Sequence, residues 1–264
     1  MAADSIIELR GVSRSFLSPR GDEMLALKDV HLDVARGEFL TIVGPSGCGK
    51  STLLNIIVGL IEPTDGELLY GGKSYHGINR EIGYVTQADN LFPWRTVLRN
   101  VTFGLDMRRK GDRGERKQRA LDLLKQVGLD EFAFHYRHEL SGGMRQRVNI
   151  VRTLAYNPQV LLLDEPFGPL DVQNRLQLQD LLLRLWEERP GTTVIFITHD
   201  LTEAIGLGDR VVVMSARPGR VREIVPVPLP RPRDIYTIHT NPVFRTLYDR
   251  IWAGLAEEMR TTTP

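Results

Sequence analysis

Hydrophobic and polar positions change period several times along this chain. Residues 5–16 alternate in part and predict an early strand, while 29–34 alternate more cleanly and predict a half-buried one. The run 38–43 is almost continuously apolar at strand length, so it predicts a buried strand, and 52–60 predicts an apolar helix. Residues 66–72 predict a short strand closing in a hairpin turn, and 82–85 predict a second buried strand. From about 96 to 139 no strong strand pattern occurs; 97–103 and 116–127 read as helical, which predicts a helical subdomain inserted in the core. Strands return at 160–163, 194–198 and 211–214, separated by helical stretches at 143–156 and 171–188. Strands alternating with helices predict an α/β fold with a largely parallel sheet and helices on both faces. Pro226, Pro228, Pro230 and Pro232 predict an extended linker, and an amphipathic stretch at about 242–260 predicts a last helix.

The chemistry begins where the strand at 38–43 ends. Gly44-Pro45-Ser46-Gly47-Cys48-Gly49-Lys50-Ser51-Thr52 follows the pattern G-x-x-x-x-G-K-[ST], a loop that cradles nucleotide phosphates. Its glycines let backbone N–H groups turn inward onto anionic oxygen. Lys50 supplies a point charge for β- and γ-phosphates, and the hydroxyl of Ser51 suits Mg²⁺. The following helix would face the phosphates with its N-terminal end. A second constellation is the apolar run at 160–163 followed by Asp164-Glu165-Pro166. A buried strand carries acids to its carboxyl end, where ligands gather in open α/β sheets. Neighbouring strand residues point opposite ways, so Asp164 and Glu165 are expected to divide two tasks, one toward Mg²⁺ and one toward a water in line with the γ-phosphate. A plain acidic cap at the strand end is the other reading.

Composition limits the class further. The chain has 264 residues, 42% of them hydrophobic and 25% charged, enough for one large core or a core with a subdomain. Net charge is +1, so bulk charge argues neither for nor against nucleic acid. One cysteine excludes an intrachain disulfide, and no run of 18 apolar residues is present to span a membrane. The first residues lack the apolar centre of a secretory signal. The basic stretch 108–117 is interrupted by acids and glycines and predicts a solvated loop.

Leu140-Ser141-Gly142-Gly143-Met144-Arg145-Gln146-Arg147 offers a second anion site, a Ser-Gly-Gly turn opening a helix. Two phosphate half-sites in one chain suggest that two chains close over the nucleotide. Here the sequence resembles the ATPase subunits of ABC transporters. The order of features matches from about residue 6 to 225: phosphate loop, Gln87, signature at 140–147, Asp164-Glu165, Gly168-Pro169-Leu170-Asp171, then His199. The resemblance implies a P-loop NTPase (RecA-like) core with an antiparallel β subdomain and an inserted helical subdomain at about 96–157. It also implies an ATPase domain at 1–225, followed at 226–264 by the proline-rich linker and C-terminal helix.

By the same resemblance, Phe16 would stack on adenine, and Lys50 with the loop amides of 44–52 would hold the phosphates of ATP. Ser51, Gln87 and Asp164 would organise Mg²⁺. Glu165 would orient or deprotonate water, His199 would contact the γ-phosphate, and Gln87 would sense the transporter interface. Ser141, Gly142 and Gly143 would meet ATP held by another copy or a paired ATPase subunit, with Asp171 at that contact. Plainer readings stand beside these: Phe16 as core, His199 as a strand-end cap, Asp171 as the N-cap of the helix after it.

Leu91-Phe92-Pro93-Trp94 after Gln87 puts apolar and aromatic residues where such an ATPase would meet its membrane partner, and segments at 142–148, 164–168, 214–220 and 229–233 resemble the nitrate/sulfonate/taurine importer branch. That implies transmembrane permease subunits as partners, an extracytoplasmic solute-binding protein as an indirect one, and a peripheral place on the cytoplasmic face of the membrane. Nucleic acid is not expected. The second reading is a non-transport ABC ATPase acting on nucleic acid or the ribosome, but the long insertions or tandem domains of those types do not occur. Two positions depart from the pattern, Pro169 where a small residue is usual and Thr86 where an aromatic is common.

Overall fold

The computed structural model describes residues 4–18, 21–108 and 111–262. In chain order the first elements are β1 (Ser5–Leu17), β2 (Glu23–Ala35), β3 (Phe39–Val43), α1 (Lys50–Val58), β4 (Asp65–Tyr70), β5 (Lys73–Ser74) and β6 (Ile82–Val85). Then follow α2 (Val97–Arg108), α3 (Arg113–Gln126), α4 (Gly142–Leu154), β7 (Val160–Asp164) and α5 (Val172–Glu187). The last are β8 (Thr193–Ile197), α6 (Leu201–Leu207), β9 (Arg210–Met214), β10 (Val221–Pro226) and α7 (Pro242–Thr262). Contacts divide the chain into two compact units, Met1–Arg80 with Arg189–Pro264, and Glu81–Glu188.

In the first unit β2, β1, β4 and β5 form an antiparallel sheet. β2 shows why: Val30, Leu32 and Val34 are buried while His31 and Asp33 between them are exposed, the period of a strand with one dry face. β3 lies between β8 and β9, parallel to both, and β10 pairs antiparallel with β9. All five residues of β3 and of β8 are buried, which is how a strand covered on both faces reads. A further core gathers Leu201, Ala204 and Ile205 of α6, strands β9 and β10, and Phe244, Leu247, Ile251 and Leu255 of α7. Their spacing of three and four places them on one helix face.

The proline-spaced segment 226–233, expected as an extended linker, packs against the rest of the first unit. Val227, Leu229 and Arg233 turn inward and are buried, while Pro226, Pro228, Pro230 and Pro232 are exposed.

The second unit pairs β6 and β7 in parallel and carries α2, α3, α4 and α5. The stretch predicted as a solvated loop is in part a helix. Asp112 caps α3 by accepting the N–H groups of Gly114 and Glu115, while Glu115 accepts the N–H of Asp112, a capping box. Arg109 and Lys110 lie outside the described residues. No helix among the described residues is long and apolar enough to cross a membrane.

Candidate functional site

The phosphate loop leaves the end of β3 and enters α1 at Lys50. Gly47 and Gly49 hold φ at 74° and 104°, the left-handed region that turns successive N–H groups to one side. Ser46, Gly47 and Ser51 are exposed and Cys48 is buried. The Lys50 ammonium lies within the loop, 6% exposed as a residue, and donates to the carbonyls of Gly44 at 2.8 Å and Pro45 at 3.0 Å. Its third contact is a long one, to Cys48 Sγ at 4.0 Å, so the ammonium is held by the loop itself. Burial pushes the Cys48 thiol up even with Lys50 beside it, so the loop's one sulfur is not a ready thiolate.

His199 follows β8. The β3–β8 register pairs Ile42 with Ile197, and carried two residues on it sets His199 level with Gly44 at the carboxyl end of the strands. The turn is held from both sides of the histidine. The Thr198 N–H reaches the carbonyl of Ile42, and its hydroxyl donates to Glu203 at 2.5 Å. Asp200 accepts the N–H groups of Thr202 and Glu203 as the cap of α6. His199 itself is exposed. Phe16, near the end of β1, is half-buried, and the Arg14 guanidinium lies 4.7 Å from its ring centroid.

In the second unit β6 and β7 run in register from Ile82 with Val160 to Val85 with Leu163, which sets Gln87 level with Glu165 just past the strand ends. Asp164 is buried at the end of β7, and the Tyr84 hydroxyl donates to it at 3.4 Å. Burial, then the charge and hydrogen bond of Asp164, push the Tyr84 phenol up, so it stays a donor. Glu165 is where the strand argument needs correction. β7 stops at Asp164, and Glu165 holds φ at 45°, so a left-handed turn and not the pleat aims its side chain. That turn is closed by Gly168 N–H to the Glu165 carbonyl and Leu170 N–H to Phe167, leaving Pro169 no bond to forfeit.

Ser141 caps α4 by accepting the N–H of Met144 at 3.3 Å, and both Ser141 and Gly142 are exposed. The buried Gln146, one turn on, donates to the carbonyl of Pro166 at 2.5 Å. The signature helix is thereby tied to the turn that aims Glu165. Asp171 caps α5 through the N–H of Asn174 at 3.0 Å, and that bond with the Asn174 side chain lowers its pKa.

Sequence reasoning missed the residues that fix the segment after Gln87. Asp89 accepts from Arg137 at 2.8 Å and from Arg145 at 3.1 Å, and Arg152 donates to the carbonyl of Asn90 at 2.8 Å. Burial opposes ionisation of Asp89, yet Arg137, the Leu91 N–H and the Arg145 charge hold its carboxyl below the ordinary value. Asn100, buried on α2, accepts the Phe92 N–H and donates to the carbonyls of Phe92, Arg95 and Thr96. A polar residue in the apolar face of a predicted helix was the available signal. Thr86 stands where an aromatic is common because its hydroxyl closes the same loop, donating to Ala88 and accepting from Asn90. Within 91–94, Leu91 is buried and Phe92 packs on Phe103 at 4.8 Å, so Trp94 alone is a largely exposed ring, at 71%.

The ABC transporter family model matches residues 27–168. An uncharacterized ABC transporter ATP-binding protein of Methanocaldococcus jannaschii is 52% identical, over 89% of each chain. A taurine import ATP-binding protein of Jannaschia sp. is 43% identical, over 93% of this chain and 92% of that one. A solved ATP-binding cassette, in a dimeric post-hydrolysis state with ADP and Pi, superposes with a TM-score of 0.75 at 37% identity, covering 84% of this chain and 98% of that one. The expected cassette fold is borne out by that likeness.

Proposed function

Because the chain belongs to the ATP-binding family of ABC transporters, we propose that it is the ATP-hydrolysing subunit of an importer for a small anionic solute of the nitrate, sulfonate or taurine kind. The observation that carries this reading is a pair of helix starts with exposed residues suited to anions, Ser46, Gly47 and Ser51 at one and Ser141 and Gly142 at the other. Support for the solute class comes from relatives named as taurine import ATP-binding proteins.

The roles are those the family resemblance implies, and the placement of each residue supports them. The amides of Gly44 to Thr52 and the Lys50 ammonium bind the phosphates of ATP. Ser51, Asp164 and Gln87 offer a hydroxyl, a carboxylate and an amide oxygen, the hard donors that suit Mg²⁺ held mainly by phosphates and water. Among the described residues no cluster of three His, Cys, Asp or Glu is present, so an all-protein metal cage is not what these residues fit. Mg²⁺, when bound, offsets charge on the β- and γ-oxygens. Glu165 aligns the attacking water, His199 contacts the γ-phosphate, and the half-exposed ring of Phe16 stacks on adenine. Ser141, Gly142 and Gly143 close on ATP held by a second copy, with Asp171 at that contact.

The membrane side is the groove of about 610 Å³ along α2 and α3, lined by Trp94 and by Arg95, Arg99, Arg113 and Lys117, which outnumber the one acid, Asp106, itself paired with Arg116. An exposed aromatic beside cationic side chains suits a permease segment with one apolar and one acidic face. Gln87 begins the segment that leads to it.

Glu165→Gln tests the reading. The variant is expected to bind ATP, accumulate as a dimer in light scattering, and lose roughly 100-fold or more in turnover, since water is no longer aligned. Near-normal ATPase activity in that variant would sink the role of Glu165.

A further inference from the structure

The run Leu229-Pro230-Arg231-Pro232-Arg233 has no part in the roles above, yet it grips the helix that follows His199. α6 has seven residues, too few to hold together alone, and its last carbonyls need partners from outside. Each receives one. The carbonyl of Ala204 takes the Gly208 N–H at 3.1 Å and the Thr41 hydroxyl at 3.0 Å. Arg233 Nη1 donates to the carbonyls of Ile205, Gly206 and Gly208 at 3.3, 3.2 and 2.7 Å. Arg231 Nη2 donates to the carbonyl of Leu207 at 2.7 Å.

The other arm of Arg233, Nη2, reaches back to the carbonyls of Leu229 and Val227 at 3.2 and 3.5 Å. One guanidinium thus joins the tail to the helix end, and its side chain is only 1% exposed. Two cations at the negative end of the helix dipole are favourable, and Asp209 balances them, at 2.8 Å from Arg231 and 3.6 Å from Arg233. The second oxygen of Asp209 accepts the N–H of Phe39, the first residue of the strand that ends in the phosphate loop. At the opposite end of α6, Asp200 caps the helix and Glu203 holds Thr198, the residues on either side of His199.

We propose that Arg231 and Arg233 are positioning residues for ATP hydrolysis: by fixing the carboxyl end of α6 they set where its amino end holds His199. A guanidinium is needed because its planar fork serves carbonyls on the helix and on the tail together, which the point charge of a lysine does not. The proposal rests on the reading of His199 as a γ-phosphate contact, and its test separates the two.

Arg233→Lys and Arg231→Lys are made in the full chain. ATPase kinetics are measured alongside hydrogen exchange of residues 198–207 and of α1. The expected result is a loss of about 10- to 100-fold in kcat, as for displacement of a reacting contact by a fraction of an ångström to an ångström. KM for ATP stays within about twofold, because binding through the phosphate loop is unaltered. Exchange at 198–207 accelerates by about tenfold or more while α1 is unchanged. In a His199→Ala background Arg233→Lys adds no further loss. An unchanged kcat, a parallel loss of protection in α1, or an additive loss in the His199→Ala background overturns the proposal. If Arg233→Lys does not fold, Arg231→Lys carries the same test through Leu207 and Asp209. His199→Ala with normal turnover would refute the role of His199 yet leave the exchange result readable as a test of the clamp.

Discussion

Gly47 and Gly49 sit two residues apart in the phosphate loop, both in the left-handed region, but their surroundings differ. A Cβ on Gly47 would meet nothing within 4 Å, whereas one on Gly49 would stand 2.8 Å from Leu27 Cδ2 and 3.0 Å from the carbonyl of Ala26. Gly47→Ala is therefore expected to cost about 1–2 kcal/mol of stability from backbone strain alone. Gly49→Ala should cost about 2–4 kcal/mol, strain plus a clash with backbone that cannot step aside, as read by urea denaturation of the two variants. The need for glycine at both places was legible in the motif; which of them is also pressed by a neighbouring strand was not. Glu165 shows the same limit. Its acidity and place after an apolar strand were plain in the sequence, but its aim depends on a φ of 45° set by a turn that Gln146 pins from α4.

Among elements, α4 does more than open with the signature. Its Arg145 and Arg152 reach the loop after β6, and Asp89 there joins Arg145 to Arg137. The folded-state pKa of Asp89 is depressed, so its stabilising contribution is fully present above the ordinary carboxylate value and is lost as pH falls through the folded one. Asp89→Asn is expected to lower stability at pH 7 by about 1–2 kcal/mol, a modest figure because both guanidinium groups are partly exposed. The gap between variant and native chain should begin to narrow near the ordinary carboxylate value, about pH 4, and close only as pH falls through the lower folded-state value. Thermal melts at pH 7 and stepwise through the acid range below about pH 4 would show it; a gap of constant size throughout rules the ion pairs out. Strands β3, β6 and β7 were readable because a strand dry on both faces is a continuous apolar run. α6 and β10 were not read. Seven residues give too little length for a helical period, and β10 runs into prolines that look like a linker.

For the molecule as a whole, the C-terminal stretch is part of a core. Ile251 is 1% exposed in the cluster that α7 shares with α6, β9 and β10, while its neighbour Trp252 is half exposed. Ile251→Ala should cost about 2–4 kcal/mol, and Trp252→Ala about 1 kcal/mol or less, measured by chemical denaturation. Equal costs would mean that α7 does not pack by this face. Taken alone, the sequence determined the elements with clear period, the phosphate loop, the signature turn and the paired acids, since each is written in adjacent residues whose types have a local physical meaning. Only tertiary structure decided that prolines 226–232 lie on a packed segment, that Arg231 and Arg233 meet the carbonyls of α6, and that Asp89 joins Arg137 to Arg145. Those partners are tens of residues apart, and a hydrogen bond or a buried face between them leaves no period in the chain; it exists once the backbone has brought the groups within 3 Å or so.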